Sequence, residues 1–275
     1  MPGRRPGRRL AQHFLADRVA AGRIVAAAQF GSCKTAIEIG PGRGALTGLL
    51  TERFGRVVGI ELDPHLCDVL RSALGDRVRI LNEDCLKVDL EALVRDEGAD
   101  RAVLVGNLPY NITGAVVERI LAARGSLHRA VVMVQREVAS RMVASPGGRD
   151  YGVLSLAVQV ACVPEKLFDL RPGDFHPPPK VHSSVVMLPF DGGPKMRPRD
   201  EALFFQVVRA AFGQRRKMLR NSLLTLTGGD EARVGAALAE AGIDPRLRAE
   251  SVSAEGFECL AQAFGGHRPI RELER

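Results

Sequence analysis

Thr35-Ala36-Ile37-Glu38-Ile39-Gly40-Pro41-Gly42-Arg43-Gly44 carries a short β-branched run directly into a turn with glycine at every second position. Glycines at such a turn let the backbone approach a ligand with no Cβ in the way. The spacing is G-x-G-x-G, not the G-x-G-x-x-G of dinucleotide enzymes, and it suits a nucleoside-sized ligand without a pyrophosphate. Outward from this stretch the chain alternates. Further β-branched runs occur at Val57 to Leu62, Val78 to Leu81, Ala102 to Val105 and Ala130 to Val134. Helical periodicity fills most of the gaps, as at Ala45 to Phe54 and Pro64 to Leu74. Apolar runs without alternation are strands buried on both faces, which predicts a parallel sheet covered by helices.

Two later segments, Leu154 to Val163 and Ser183 to Phe190, also read as strands, and they are joined by a loop without a long crossover helix. Such a connection favours an antiparallel strand. The expectation is an α/β sheet, mostly parallel, whose last strand runs antiparallel. Asp191-Gly192-Gly193-Pro194 then reads as a linker. Beyond it the pattern is helical throughout, at Glu201 to Phe212, Lys217 to Leu224, Glu231 to Ala241 and Ala254 to Phe264. The sequence therefore divides at the linker into a domain over residues 1–192, with a basic N-terminal arm, and a small helical domain over 196–275.

Composition narrows the function classes. The chain has 275 residues, of which 45% are hydrophobic and 26% charged, enough apolar mass for a sizeable core. No uncharged apolar run is long enough for a membrane span. The arginines at 4, 5, 8 and 9 have no apolar stretch behind them, so the N-terminus is not a secretory signal. Five widely spaced cysteines without a C-x-x-C pair point to reduced thiols in the cytoplasm, and to neither a disulfide framework nor a metal site. The net charge of +7 favours a polyanionic partner. Its concentration, in the N-terminal arm and at Arg209, Arg215, Arg216, Lys217 and Arg220, favours RNA as that partner.

Candidate site residues lie where the runs end. Glu61 closes the second run, 21 residues after Gly40, and can accept hydrogen bonds from both hydroxyls of a ribose. Asp84 follows the third run and can accept from an adenine amino group. Taken singly, each acid reads as an ordinary loop residue. Signals at the ends of three successive strands converge on the crevice where open α/β sheets bind ligands. That convergence points to S-adenosylmethionine.

Asn107-Leu108-Pro109-Tyr110 follows the fourth run. The exocyclic amine of adenine is a poor nucleophile because its lone pair is delocalised into the ring. Acceptors for its hydrogens, the Asn107 side-chain oxygen and the Leu108 carbonyl, favour a pyramidal nitrogen with a localised lone pair. Pro109 holds the residue before it extended. Tyr110 offers a face for the base, with stacking typically contributing about 1–3 kcal/mol.

With these motifs the sequence resembles the KsgA/Dim family of ribosomal RNA adenine dimethyltransferases, and the bacterial KsgA (RsmA) branch in particular, from Arg9 to about Phe264. The resemblance rests on Gln12-His13-Phe14-Leu15, the Glu38 to Gly44 loop, Gly59 to Asp63 and Gly106 to Thr113. Phe175-His176-Pro177-Pro178-Pro179-Lys180-Val181 and Phe212 to Lys217 complete it. Ala11 departs from the family's usual Gly.

The resemblance implies a Rossmann-like class I methyltransferase sheet with a helical C-terminal domain. It also implies N6,N6-dimethylation of two adjacent adenosines in the 3′-terminal hairpin loop of small-subunit (16S) rRNA during subunit biogenesis, on an immature 30S particle. His13 and Leu15 would line the cofactor pocket with Gly40, Glu61, Asp84 and Asn107, and Phe175 would pack across the base from Tyr110. Arg215, Arg216, Lys217 and Arg220 would track RNA phosphate. A cytoplasmic monomer is expected.

Three other readings remain. An Erm-type enzyme would act on large-subunit rRNA. A non-catalytic assembly or nucleic-acid-binding factor would use the same fold, as mitochondrial transcription factor B relatives do. A small-molecule methyltransferase would have no use for the basic clusters.

Overall fold

A computed structural model describes residues 13–214 and 216–266. The chain enters through β1 (Phe14–Leu15) and α1 (Arg18–Ala28), then runs β2 (Thr35–Ile39), α2 (Thr47–Thr51), β3 (Arg56–Glu61) and α3 (Pro64–Leu74). It continues through β4 (Arg79–Asn82), α4 (Leu90–Asp96), β5 (Ala102–Asn107), α5 (Thr113–Ala122) and β6 (Leu127–Gln135). Two helices, α6 (Arg136–Met142) and α7 (Val153–Gln159), precede β7 (Glu165–Leu170), β8 (Phe175–His176) and β9 (Ser183–Pro189). Helices α8 (Glu201–Gly213), α9 (Leu219–Thr227), α10 (Glu231–Glu240) and α11 (Ala254–Gly266) follow.

Seven strands form one sheet in the order β4-β3-β2-β5-β6-β9-β7. All five residues of β2 are buried, as expected of a central strand covered on both faces. The pairs β3–β4, β2–β3, β2–β5 and β5–β6 are parallel, and the last strand, β9, is the antiparallel one. Twelve residues separate β7 from β9 without an α-helix, too few for the usual parallel crossover. In register, Ile39 lies opposite both Ile60 and Gly106, and Glu61 opposite Asn82. The C-terminal ends of β2, β3, β4 and β5 are therefore level, and the loops leaving them open on one edge.

Local signals account for the helices that follow these strands. Asp63 caps α3 by accepting the His65 N–H at 2.9 Å, with Pro64 in the first helical turn. Asp17 caps α1 the same way, through Val19 and Ala20. Two compact units result. The first comprises the described residues up to Arg136 with Lys166–Met187, and the second comprises Glu137–Glu165 with the chain from Leu188 onward. Ile24, Leu50, Val57, Val103, Val131 and Val185 belong to the first unit's core, and Leu156, Phe204, Leu223, Phe257 and Phe264 to the second's. Among the described residues no helix is long and apolar enough to cross a membrane.

The segment from Leu154 to Val163, read from sequence as a strand, is instead α7 and the turn after it. Its apolar run is continuous, and over a few residues such a run fits a buried helix as well as a strand. Packing decides between them. Leu156 and Val160, four apart, both enter the helical core, and the Ser155 hydroxyl accepts the Gly152 N–H at 3.1 Å as α7 begins. The strand that borders β9 on the side away from β6 is β7, a run of mixed polarity that alternation does not reveal.

Candidate active site

The glycine loop leaving β2 needs its glycines. Gly40, Gly42 and Gly44 have φ of +67°, +59° and +85°, a region that residues with a Cβ avoid. A Cβ on Gly42 would also stand 2.8 Å from the Phe14 ring. Phe14 thus lies against the loop, and the Arg43 guanidinium lies over its ring, 4.7 Å from the ring centre.

Glu61 ends β3 and is only 2% exposed. Its two oxygens accept the backbone N–H groups of Gly42 and Asp63, each at 3.0 Å. The carboxylate therefore ties the glycine loop to the end of β3, while its remaining lone pairs can accept from a sugar. Asn82 supports this corner from β4 by donating to the carbonyls of Glu61 and Leu62 at 3.0 and 3.1 Å. No sequence signal marked Asn82. Asp84 opens the next turn, its Oδ1 accepting the Leu86 N–H at 3.0 Å.

Asn107 ends β5. Its side-chain nitrogen donates to the His13 carbonyl at 2.7 Å, which fixes the orientation of the carboxamide because a carbonyl can only accept. Oδ1 is left without a partner among the described residues. The Leu108 N–H is bound to the Met133 carbonyl at 3.0 Å, and no donor among the described residues reaches the Leu108 carbonyl. The Pro109 carbonyl, by contrast, already accepts from Thr113 and Ile112. Two free acceptors thus stand next to each other in the chain, as the amine chemistry requires.

His13 arrives through a feature that no local pattern announced. Strands β1 and β8 pair antiparallel, Phe14 opposite His176 and Leu15 opposite Phe175. His13 Nδ1 donates to the Pro177 carbonyl at 2.8 Å, and the His13 ring lies 5.9 Å from that of Tyr110. The Tyr110 hydroxyl is 2.6 Å from that of Ser183. His13, Asn107 and Tyr110 are therefore one hydrogen-bonded and packed group. Leu15 and Phe175 differ: both are buried in the first unit's core, Phe175 at 3% exposure, and the ring beside Tyr110 is His13.

These residues fit S-adenosylmethionine. The loop presents bare backbone at Gly40, Gly42 and Gly44, all at positive φ, Glu61 is an acceptor for ribose hydroxyls and Asp84 an acceptor for an amino group. One acid near the end of β2 behaves differently. Burial pushes the Glu38 carboxyl up to about 8, with the Thr47 hydroxyl opposing and the Glu61 charge adding, and Oε2 has no hydrogen-bond partner. Unfolded, the same group titrates near 4.5. Between these values the folded chain holds a proton that the unfolded chain has released, so this group makes stability fall as pH rises from about 4.5 to about 8. Glu38→Gln is expected to remove that slope. Denaturant midpoints compared across this window check it, and a slope that persists in the variant assigns the loss to other groups.

In the second unit Arg216 and Lys217 are exposed at the turn between α8 and α9 and Arg220 in the first turn of α9, and among the described residues no acid pairs with them. Arg215 lies outside the described residues, as do Gln12 and the N-terminal arginines. The Leu219 and Arg220 N–H groups bind the carbonyls of Leu247 and Pro245, which brings the exposed Arg246 and Arg248 to the same end of α9. That neighbourhood comes from folding over some thirty residues of sequence.

Residues 5–263 match the family model described as ribosomal RNA adenine dimethylase. A protein of Desulfitobacterium hafniense named ribosomal RNA small subunit methyltransferase A is 43% identical over 266 residues, covering 95% of this chain and 93% of its own. The solved 23S rRNA methyltransferase ErmE is 27% identical with a TM-score of 0.68, covering 92% of this chain and 99% of its own. A dimethyladenosine transferase from Plasmodium falciparum, 22% identical with a TM-score of 0.78, shares the fold over 92% of this chain and 98% of its own.

Proposed function

Because the chain belongs to the ribosomal RNA adenine dimethylase family, we propose that it methylates N6 of two adjacent adenosines in the 3′-terminal hairpin loop of small-subunit (16S) rRNA, giving N6,N6-dimethyladenosine during small-subunit biogenesis. The observation that carries this reading is the tethered Asn107 carboxamide, whose nitrogen is held by His13 and whose oxygen is left to accept.

When bound, S-adenosylmethionine supplies a methyl group on a positively charged sulfur. Glu61 would hold the ribose and Asp84 the adenine amine of that ligand, with His13, Leu15, Gly40 and Asn107 around it. Asn107 Oδ1 and the Leu108 carbonyl accept the N6 hydrogens of the target base and draw its lone pair out of the ring. Pro109 keeps Leu108 extended and Tyr110 stacks on the base, while Phe175, which the resemblance sets across the base from Tyr110, is buried in the first unit's core. The rate then comes from positioning and from fixed dipoles. No side chain is needed as general base, because the ammonium formed is acidic and releases its proton to water.

The small subunit is favoured over the large by the similarity of 43% to the small-subunit relative, against 27% to the 23S enzyme. The helical domain from residue 196 on carries RNA contacts at Arg215, Arg216, Lys217 and Arg220. These set affinity and register while the splayed adenine is read in the pocket. Neutralising Arg215, Arg216 and Lys217 together is expected to weaken particle binding and to lower the slope of log K against log salt by about 2, at roughly 0.7–0.9 per phosphate contact. A slope unchanged across a salt titration removes that assignment. The immature 30S particle is the partner in this reading, with the enzyme acting as a cytoplasmic monomer.

Labelled methyl transfer to small and large subunits purified from cells lacking dimethyladenosine, followed by nucleoside mass spectrometry, tests the function. Dimethyladenosine confined to small-subunit RNA supports it. Label in large-subunit RNA moves the protein to the Erm class. No label on either, with cofactor binding intact, favours a binding role.

A further inference from the structure

Tyr110 is half-buried, and its ring is held at both ends. On the backbone side, the Leu108 N–H bond to Met133 and the Thr113 bond to the Pro109 carbonyl fix the chain around it. On the far side its hydroxyl meets Ser183 Oγ at 2.6 Å. Ser183 is fully buried at the start of β9, and the residue before it is tied to the end of β6 by the Arg136 N–H bond to the His182 carbonyl. A hydroxyl in that position is an anchor on the sheet.

We propose that Ser183 is a positioning residue for the methyl transfer, which sets the plane of the Tyr110 ring and through it the target adenine. This rests on the function proposed above. A phenylalanine at position 110 would stack equally well, so stacking alone does not explain the hydroxyl. The amine must meet the methyl in line, and a misplacement of about 1 Å can cost about a hundredfold in rate. A ring bonded only at its Cβ end can swing about its side-chain torsions. One bonded at both ends cannot. The Tyr110 hydroxyl needs no proton chemistry in this role, since it is engaged with Ser183 and the reaction requires no base.

The sequence offers an unusual way to observe the ring. There is no tryptophan, and Tyr110 and Tyr151 are the only tyrosines. The Tyr151 hydroxyl is buried in the helical unit without a hydrogen-bond partner, so Tyr151→Phe removes an unsatisfied polar atom and preserves the shape of the core. In that background Tyr110 is the sole emitter.

Ser183→Ala, Tyr110→Phe and the double variant are compared in methyl transfer to small subunits, and the anisotropy decay of Tyr110 is recorded in Ser183→Ala/Tyr151→Phe without RNA. Each single variant is expected to lose about tenfold in kcat, with KM for the particle within about twofold, because affinity resides in phosphate contacts. The double variant should be no slower than either single one, since all three lack the same bond. Tyr110 anisotropy should decay faster once Ser183 is replaced.

Single variants that turn over like the parent, or a double variant whose losses multiply, overturn the proposal. If Ser183→Ala fails to fold, Tyr110→Phe decides, because it removes the same bond without touching β9. Absence of transfer by the unaltered protein counts against the function itself, whereas the anisotropy decay, measured without RNA, still decides the anchor.

Discussion

Asn107→Ala is expected to lower methyl transfer by about 10²–10³-fold, the range found when one preorganised hydrogen-bonding group is removed from a reacting centre. Binding of cofactor and particle should change far less. The reason lies in how the side chain is held. Its nitrogen is committed to the His13 carbonyl at 2.7 Å, so the oxygen cannot turn away from the amine it is to receive. The backbone of Asn107, which lies next to the glycine loop, survives the substitution; a Cβ on Gly40 would be 3.7 Å from the Asn107 carbonyl.

Asn107→Asp is the sharper comparison. It keeps the shape and an acceptor, yet sets a carboxylate oxygen against the His13 carbonyl where a donor stood. If accepting alone mattered, the aspartate enzyme would be active. The geometry predicts that it is as slow as the alanine variant and less stable as well. Single-turnover transfer from labelled cofactor, run beside calorimetric cofactor binding, separates the cases. An active aspartate variant would show that the tether to His13 is dispensable.

The same residues show how much of the site could be read in advance. Thr35 to Gly44 declared a buried strand and a glycine turn, and the structure has both, because full burial and positive φ leave marks on composition. Pro64 to Leu74 showed a helix through its periodicity, and the structure begins it on the Asp63 cap, which acts within three residues. The pairing of β1 with β8 was not legible. It joins residues some 160 apart through two-residue strands, too short for any periodicity. The resemblance named His13 as a pocket residue but not the role of its carbonyl, a main-chain atom that every residue type provides. Ser183 was hidden for a related reason, since its hydroxyl lies in a run whose apolar pattern is that of a plain strand. Tertiary packing also overrode local pattern at α7, where a continuous apolar stretch supports two structures and only the partner core distinguishes them.

Glu61→Ala is expected to reduce cofactor affinity and folding stability together. The carboxylate accepts the Gly42 and Asp63 N–H groups at 3.0 Å while almost wholly buried. Its removal strands two backbone donors, at about 1–3 kcal/mol for each one that water cannot reach. The glycine loop loses its tie to β3, and a bound ribose loses a charged acceptor for its hydroxyls, worth about 1.5–3 kcal/mol per hydrogen bond. The dissociation constant should therefore rise by about a hundredfold. Glu61→Gln should fall between, because it retains one oxygen for one of the two N–H groups and turns an NH₂ towards the other.

Urea unfolding without cofactor and calorimetric titration with it measure the two quantities independently. A loss of affinity at unchanged stability would make Glu61 a ligand contact alone. A loss of stability at unchanged affinity would make it a loop staple alone. The bond pattern requires both, because the oxygens that would receive the ribose are the ones that hold the loop in which the ligand lies.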